Sequence, residues 1–187
     1  RSHGSKLAQI QQKREESQKR IDREREDYRF ELEFKERLVE KISARHVWFL
    51  EIAEVLSDTK RGEENEAHRK ASNELNQHNV PISDLIFLYL QDGGLSQLNN
   101  KIFKLMNDAL VIAVLDKKSP ERKSEIEEFC KKHNVDLSEI KSNSSLEPDV
   151  DGLMPIEVYI SGETGDLTGQ VMKAKVKLRE SNRDQPG

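Results

Sequence analysis

Residues 11–20 contain no apolar side chain, and from Tyr28 apolar residues return along two stripes of helical spacing. One stripe takes Tyr28, Leu32, Lys35, Val39, Ile42, His46, Phe49, Ala53 and Leu56. The other takes Phe30, Phe34, Leu38, Lys41, Arg45, Trp48, Ile52 and Val55. Steps of three and four residues mark one face of a helix, and no Pro or Gly interrupts 6–57. A two-stranded coiled coil needs one narrow seam. Two adjoining stripes make a wide apolar face, as on a helix packed inside a bundle. The pattern therefore predicts one long helix in two parts, a charged arm over 6–27 and a bundle helix from Tyr28.

The arm is built of good helix formers, with acid-before-base pairs four apart at Glu15 and Lys19 and at Glu16 and Arg20. Such pairs add roughly 0.2–0.5 kcal/mol each to an exposed helix. Extending the first stripe backwards gives Leu7, Gln11, Arg14, Gln18, Ile21 and Arg25, which is polar for a zipper. The arm reads as a solvated rod or as a weak coiled coil joining two chains.

Beyond the first helix, Gly62 suits a helix end. Residues 63–78 read as a helix with a thin apolar face, Ala67, Ala71 and Leu75, stopped by Asn79 and Pro81. Ser83 then caps a short helix over 84–91 that is apolar nearly all round, and Asp92-Gly93-Gly94 breaks it. A further helix runs from Ser96 to about Lys118. Its apolar run 109–115 also suits a buried strand. Ser119-Pro120-Glu121 starts a helix that closes at His133-Asn134, and Asp136 to Glu139 resembles a capping box for one more turn.

A linker is expected over 141–155. Residues 156–160 and 172–179 alternate with period two around a Gly-rich stretch, which predicts a β-hairpin over 156–181; a C-terminal helix from Leu167 is the rival. Residues 182–187 read as a disordered tail. The expected fold class is mainly α: a long N-terminal helix feeding a four- to five-helix bundle, with a small C-terminal hairpin. The alternative is an α+β fold with 109–115 as a strand.

Composition narrows the functions. Hydrophobic residues make up 34% of the 187 and charged residues 35%, and the net charge is -4 with both signs interspersed. No basic excess marks a nucleic-acid binder. No run of 18 apolar residues marks a membrane span. The single cysteine, Cys130, suits a reducing compartment and a cytoplasmic setting. Residues 1–5 read as a cloning remnant, which leaves room for an upstream membrane tether.

Candidate chemistry is sparse. His46, His68, His78 and His133 lack the paired spacing of a bundle metal site, since Glu64 and His68 have no second pair to match. Cys130, three residues before His133, reads as a structural thiol. The stretch 162–169 is Gly-rich but lacks the lysine of a phosphate loop. Lys173, Lys175, Lys177 and Arg179 read as a solvated strand face without aromatics to stack bases. No enzyme, cofactor or metal is expected. The expected function is a helical interaction or scaffold module that self-associates or docks a protein partner. The alternative is a ligand-binding or sensor domain of a longer, membrane-tethered protein. The candidate interaction residues are Ile21, Tyr28, Phe30, Phe34, Trp48, Phe87 and Tyr89.

Overall fold

The computed structural model describes residues 2–139 and 153–177; the tail over 182–187 and all but the end of the expected linker lie outside them. Five helices make up the described architecture: α1 (Ser2–Leu56), α2 (Glu64–Tyr89), α3 (Gly93–Ala113), α4 (Pro120–His133) and α5 (Leu153–Lys173).

α1 is continuous, as the pattern predicts, and its two stripes merge into one buried face. Phe34, Leu38, Ile42, Phe49, Ala53 and Leu56 are buried on it, flanked by half-buried Val39, Trp48 and Ile52. Burial begins at Phe34, not at Tyr28. α2 runs back along α1. Phe34 meets Tyr89 with ring centroids 5.1 Å apart, and the Trp48 indole N–H donates to Glu74 Oε2 at 3.1 Å. The turn between them carries Gly62 at φ 96, a left-handed conformation that favours glycine, six residues beyond the end of α1.

The stop expected at Asn79 and Pro81 does not occur. α2 passes through Pro81, and the short helix expected over 84–91 is its last turns. Buried Ala71, Leu75, Ile82 and Ile86 continue one stripe through the proline, which faces solvent. An interior proline costs about 3 kcal/mol. Burying Ile82 and Ile86 contributes about 1.5–3 kcal/mol each, enough to carry the helix past it.

α3 starts earlier than expected. Asp92, not Ser96, is its cap and accepts from the Gly94 N–H at 2.9 Å. The run 109–115 is helical through Ala113, which excludes the strand alternative. Its apolar character all round follows from its place in the middle. α3 packs on each of the other four helices, and Ala109, Leu110, Ile112 and Ala113 are all buried. α4 keeps its expected ends, with Ser119 accepting from the Arg122 N–H, Pro120 in the first turn and Asn134 left-handed at φ 52. A further helical turn opens at residue 137, where Asp136 accepts from the Ser138 N–H at 3.0 Å.

The C-terminal hairpin is replaced by α5, whose first residues, 153–155, were expected to belong to the linker. Ile156, Ile160, Thr164, Leu167 and Val171 recur at steps of four and three, and all are buried. Glycines 162, 165 and 169 lie on the opposite, exposed side, with nothing near the position a Cβ would take. Burial of the stripe outweighs the roughly 1 kcal/mol that each interior glycine costs relative to alanine. The alternation over 156–160 is a by-product of that stripe. Among the described residues none of the expected hairpin pairing is present; an isolated antiparallel bridge joins Val176, beyond the end of α5, to Leu90 after α2.

One buried group stands out against this apolar packing. Arg45 is 0% exposed between α1, α2 and α3. Its Nη1 donates to Asn79 Oδ1 at 2.8 Å and to Asn99 Oδ1 at 2.6 Å, and Asn99 Nδ2 donates to Asn79 at 3.2 Å. Nε and Nη2 have no hydrogen-bond partner among the described residues. Burial lowers the Arg45 pKa to about 10, so it remains charged at neutral pH. Burial, with a smaller contribution from the Arg45 charge, also lowers the pKa of the neighbouring His46.

Two outcomes follow for equilibrium denaturation. Gly165→Ala should stabilise the chain by about 0.5–1 kcal/mol, because the site is open and helical; a loss of stability would place the segment in a turn. Asn99→Leu should cost about 1–3 kcal/mol by stripping an acceptor from a buried cation. Arg45→Met should cost less than Asn99→Leu, since it removes the buried charge and leaves only a neutral amide oxygen of Asn99 without its donor. Equal losses from the two variants would refute this assignment of cost.

Candidate interaction surface

The first 32 residues of α1, Ser2 to Glu33, extend for about 48 Å at 1.5 Å per residue. Every side chain from His3 to Glu26 is exposed. A helix with one unburied half has nothing within its own fold to determine which face is apolar. The apolar residues nevertheless cluster. At about 100° per residue, Leu7, Ile10, Ile21, Tyr28 and Leu32 fall within an arc of about 60°. Leu7, Ile21 and Tyr28 are separated by whole heptads, the period of a left-handed coiled-coil seam. Phe34, Leu38, Arg45 and Phe49 lie roughly 100–160° around the helix from Leu32, and Ile42 and Ala53 roughly 60–80°. The arm stripe thus runs along one edge of the face that enters the bundle.

At the root of the arm the surface widens. Lys35, itself buried, donates from Nζ to the Met172 carbonyl at 2.9 Å and pairs with Glu31 at 3.4 Å. Its ammonium closes the C-terminal end of α5, where the helix dipole favours a cation. The last turn of α2 is tied to the chain after α5 by Gln91 N–H to Lys175 C=O at 3.3 Å and by Lys177 N–H to Tyr89 C=O at 2.6 Å. These contacts place Phe87, 71% exposed, and Leu88, 57% exposed, at the same end of the bundle as Tyr28, 68% exposed. Met172 adds its exposed side chain to this collar.

The seven candidate residues separate into two groups. Ile21, Tyr28, Phe30 and Phe87 are at the surface, although Phe30 points away from the arm stripe. Phe34 is 3% exposed and, with half-buried Tyr89, closes the end of the core. Trp48 lies in the α1–α2 contact, against His78 at 5.1 Å and bonded to Glu74, and is structural. Sequence reading missed Ile10, Leu32, Leu88 and Met172. Ile10 lies one position from the backward-extended stripe. Leu88 and Met172 depend on α2 passing Pro81 and on α5 being a helix.

Other polar groups among the described residues form separate local contacts. His133 Nε2 bonds Asp108 at 2.7 Å, its ring packs at a tilt against Phe129, and Lys132 pairs with the same carboxylate at 2.9 Å. Cys130 is half-buried, and burial followed by the Asp136 charge raises its pKa, which disfavours the thiolate. Among the described residues no group of three His, Cys, Asp or Glu side chains could hold a metal ion. No described helix is long and apolar enough to cross a membrane. A cleft of about 960 Å³ lies at the far end of the bundle, between the α1–α2 and α3–α4 turns, lined by mixed charges such as Asp58, Arg61, Asp116 and Lys118.

Comparison with protein-family models, with curated proteins and with solved structures returns no match to this chain. A functional reading therefore rests on the geometry of the arm and its collar.

Exposed and buried aromatics at this end should respond differently to substitution. Phe87→Ser combined with Leu88→Ser should leave the melting temperature nearly unchanged, within about 0.5 kcal/mol, while reducing the binding of an apolar dye. Phe34→Ala should cost about 3–5 kcal/mol. Thermal melts and dye fluorescence on the two variants check both, and a large loss from the Phe87 and Leu88 pair would mean that they are covered.

Proposed function

We propose that this chain is a non-enzymatic helical interaction module that self-associates through its arm, with the bundle as the body carried by that assembly. The observation that carries this reading is the narrow arc of Leu7, Ile10, Ile21, Tyr28 and Leu32 on a stretch of helix that no other described residue covers. A solitary charged helix gains little by placing its few apolar residues on one line. A helix that pairs gains the burial of every one of them. The arc is narrow, as a two-helix seam requires, whereas the bundle face of the same helix is wide. A cytoplasmic setting is part of the proposal and is supported by the single free thiol, Cys130.

The seam is interrupted by Arg14, Ser17 and Glu24, so the association is expected to be weak and concentration-dependent. Light scattering across a concentration series should show mass rising from the 21.6 kDa of one chain towards twice that value. Ile21→Asp combined with Tyr28→Asp should hold the chain at the lower mass without changing its melting temperature at low concentration, since both residues are exposed. A monomer at every concentration from micromolar to millimolar would overturn the proposal.

A further inference from the structure

We infer that two arms pair antiparallel, so that the Leu7 end of each arm lies at the root of the other. This rests on self-association through the arm and specifies its direction. Two independent features of α1 point to it, the residues on the seam and the distribution of charge along the rod.

The seam has steps of three and four through Leu7, Ile10, Arg14, Ser17, Ile21, Glu24 and Tyr28. In a parallel pair each position faces its own copy. Arg14 would meet Arg14 and Glu24 would meet Glu24, two like-charged layers inside the seam. In an antiparallel pair centred near residue 19, Arg14 of each chain meets Glu24 of the second copy. Both repulsive layers become ion pairs. The same register sets Ile10 against Tyr28 of the second copy and Ile21 against Ser17.

Charge along the rod points the same way. Residues 2–14 carry Lys6, Lys13 and Arg14 and no acid, whereas residues 22–33 carry six acids against three arginines. Antiparallel pairing lays the basic stretch of each arm on the acidic stretch of the other, and parallel pairing lays like on like. With the axis near residue 19, residue 4 of one chain lies level with Phe34 of the other, where the packed core begins. Leu7 of the second copy then arrives level with the exposed Tyr28 and Leu32.

Cross-linking of the full chain decides the direction. In a Cys130→Ser background, Ile10→Cys and Tyr28→Cys are made as separate proteins and treated with a short bismaleimide, alone and mixed. Antiparallel arms give a cross-linked dimer in the mixture and little in either protein alone. Parallel arms give cross-linked dimers in each protein alone, which overturns the inference while leaving self-association standing. A dimer by light scattering that cross-links by neither route pairs through another surface and overturns it as well. A monomer at all concentrations overturns both the inference and the reading beneath it. A charge exchange gives a second readout. Arg14→Glu should weaken association about tenfold or more, and adding Glu24→Arg should restore it. In a parallel pair both layers stay like-charged after the exchange, and no restoration occurs.

Discussion

Everything above the bundle depends on the point at which α1 stops being solvated and starts being packed. Phe34 against Tyr89 and the Lys35 ammonium on the Met172 carbonyl mark that point. They join α1, α2 and the end of α5 at one level. A helix is stiff over this distance, so what fixes its direction at Phe34 also fixes the path of the arm for about 48 Å beyond. Loss of this junction would leave the arm helical by local preference but without a defined direction relative to the body.

Much of this was readable from the chain because α1 carries two signals that do not interfere. A wide stripe from Phe34 onward specifies the bundle, and alternating charges before it specify a rod. The ends of α4 were readable for a similar reason, since Ser119, Pro120 and Asn134 are local signals that tertiary packing supports. The errors fell where a local signal opposed a tertiary one. Pro81 and Asn79 argue for a stop, but Ile82 and Ile86 complete a stripe that only the neighbouring helices can reward. Three glycines and a period-two stretch argue for a hairpin, but the stripe from Ile156 to Val171 docks on α1 and α3. The collar was only half legible for the same reason. Phe87 stood out as an aromatic, whereas Leu88 and Met172 are placed at the surface by helices whose ends were misread.

Arg45 conflicts with the surrounding core in a different manner. Its position on the second stripe put it in line for burial, and burial without a carboxylate is costly. Among the described residues two asparagines, Asn79 on α2 and Asn99 on α3, accept the hydrogen bonds of its guanidinium. An apolar residue at this site would tolerate sliding of α1 by a turn, because any apolar neighbour can receive it. A guanidinium that needs Asn79 and Asn99 together tolerates one alignment only. We read the residue as a specifier of helix register that lowers stability while excluding alternatives.

That specificity matters more for a helix loaded from outside. If α1 could slide within the bundle, a partner helix seated on the arm would displace it along its axis. A single allowed register converts the arm into a fixed lever. Pairing on the arm and packing in the core then act on one rigid element, and the weak seam is spared the entropy of ordering the helix it binds. The proposed association would then ask less of the few apolar residues of the arm, because the direction of the helix is already set by the core from Phe34 to Leu56.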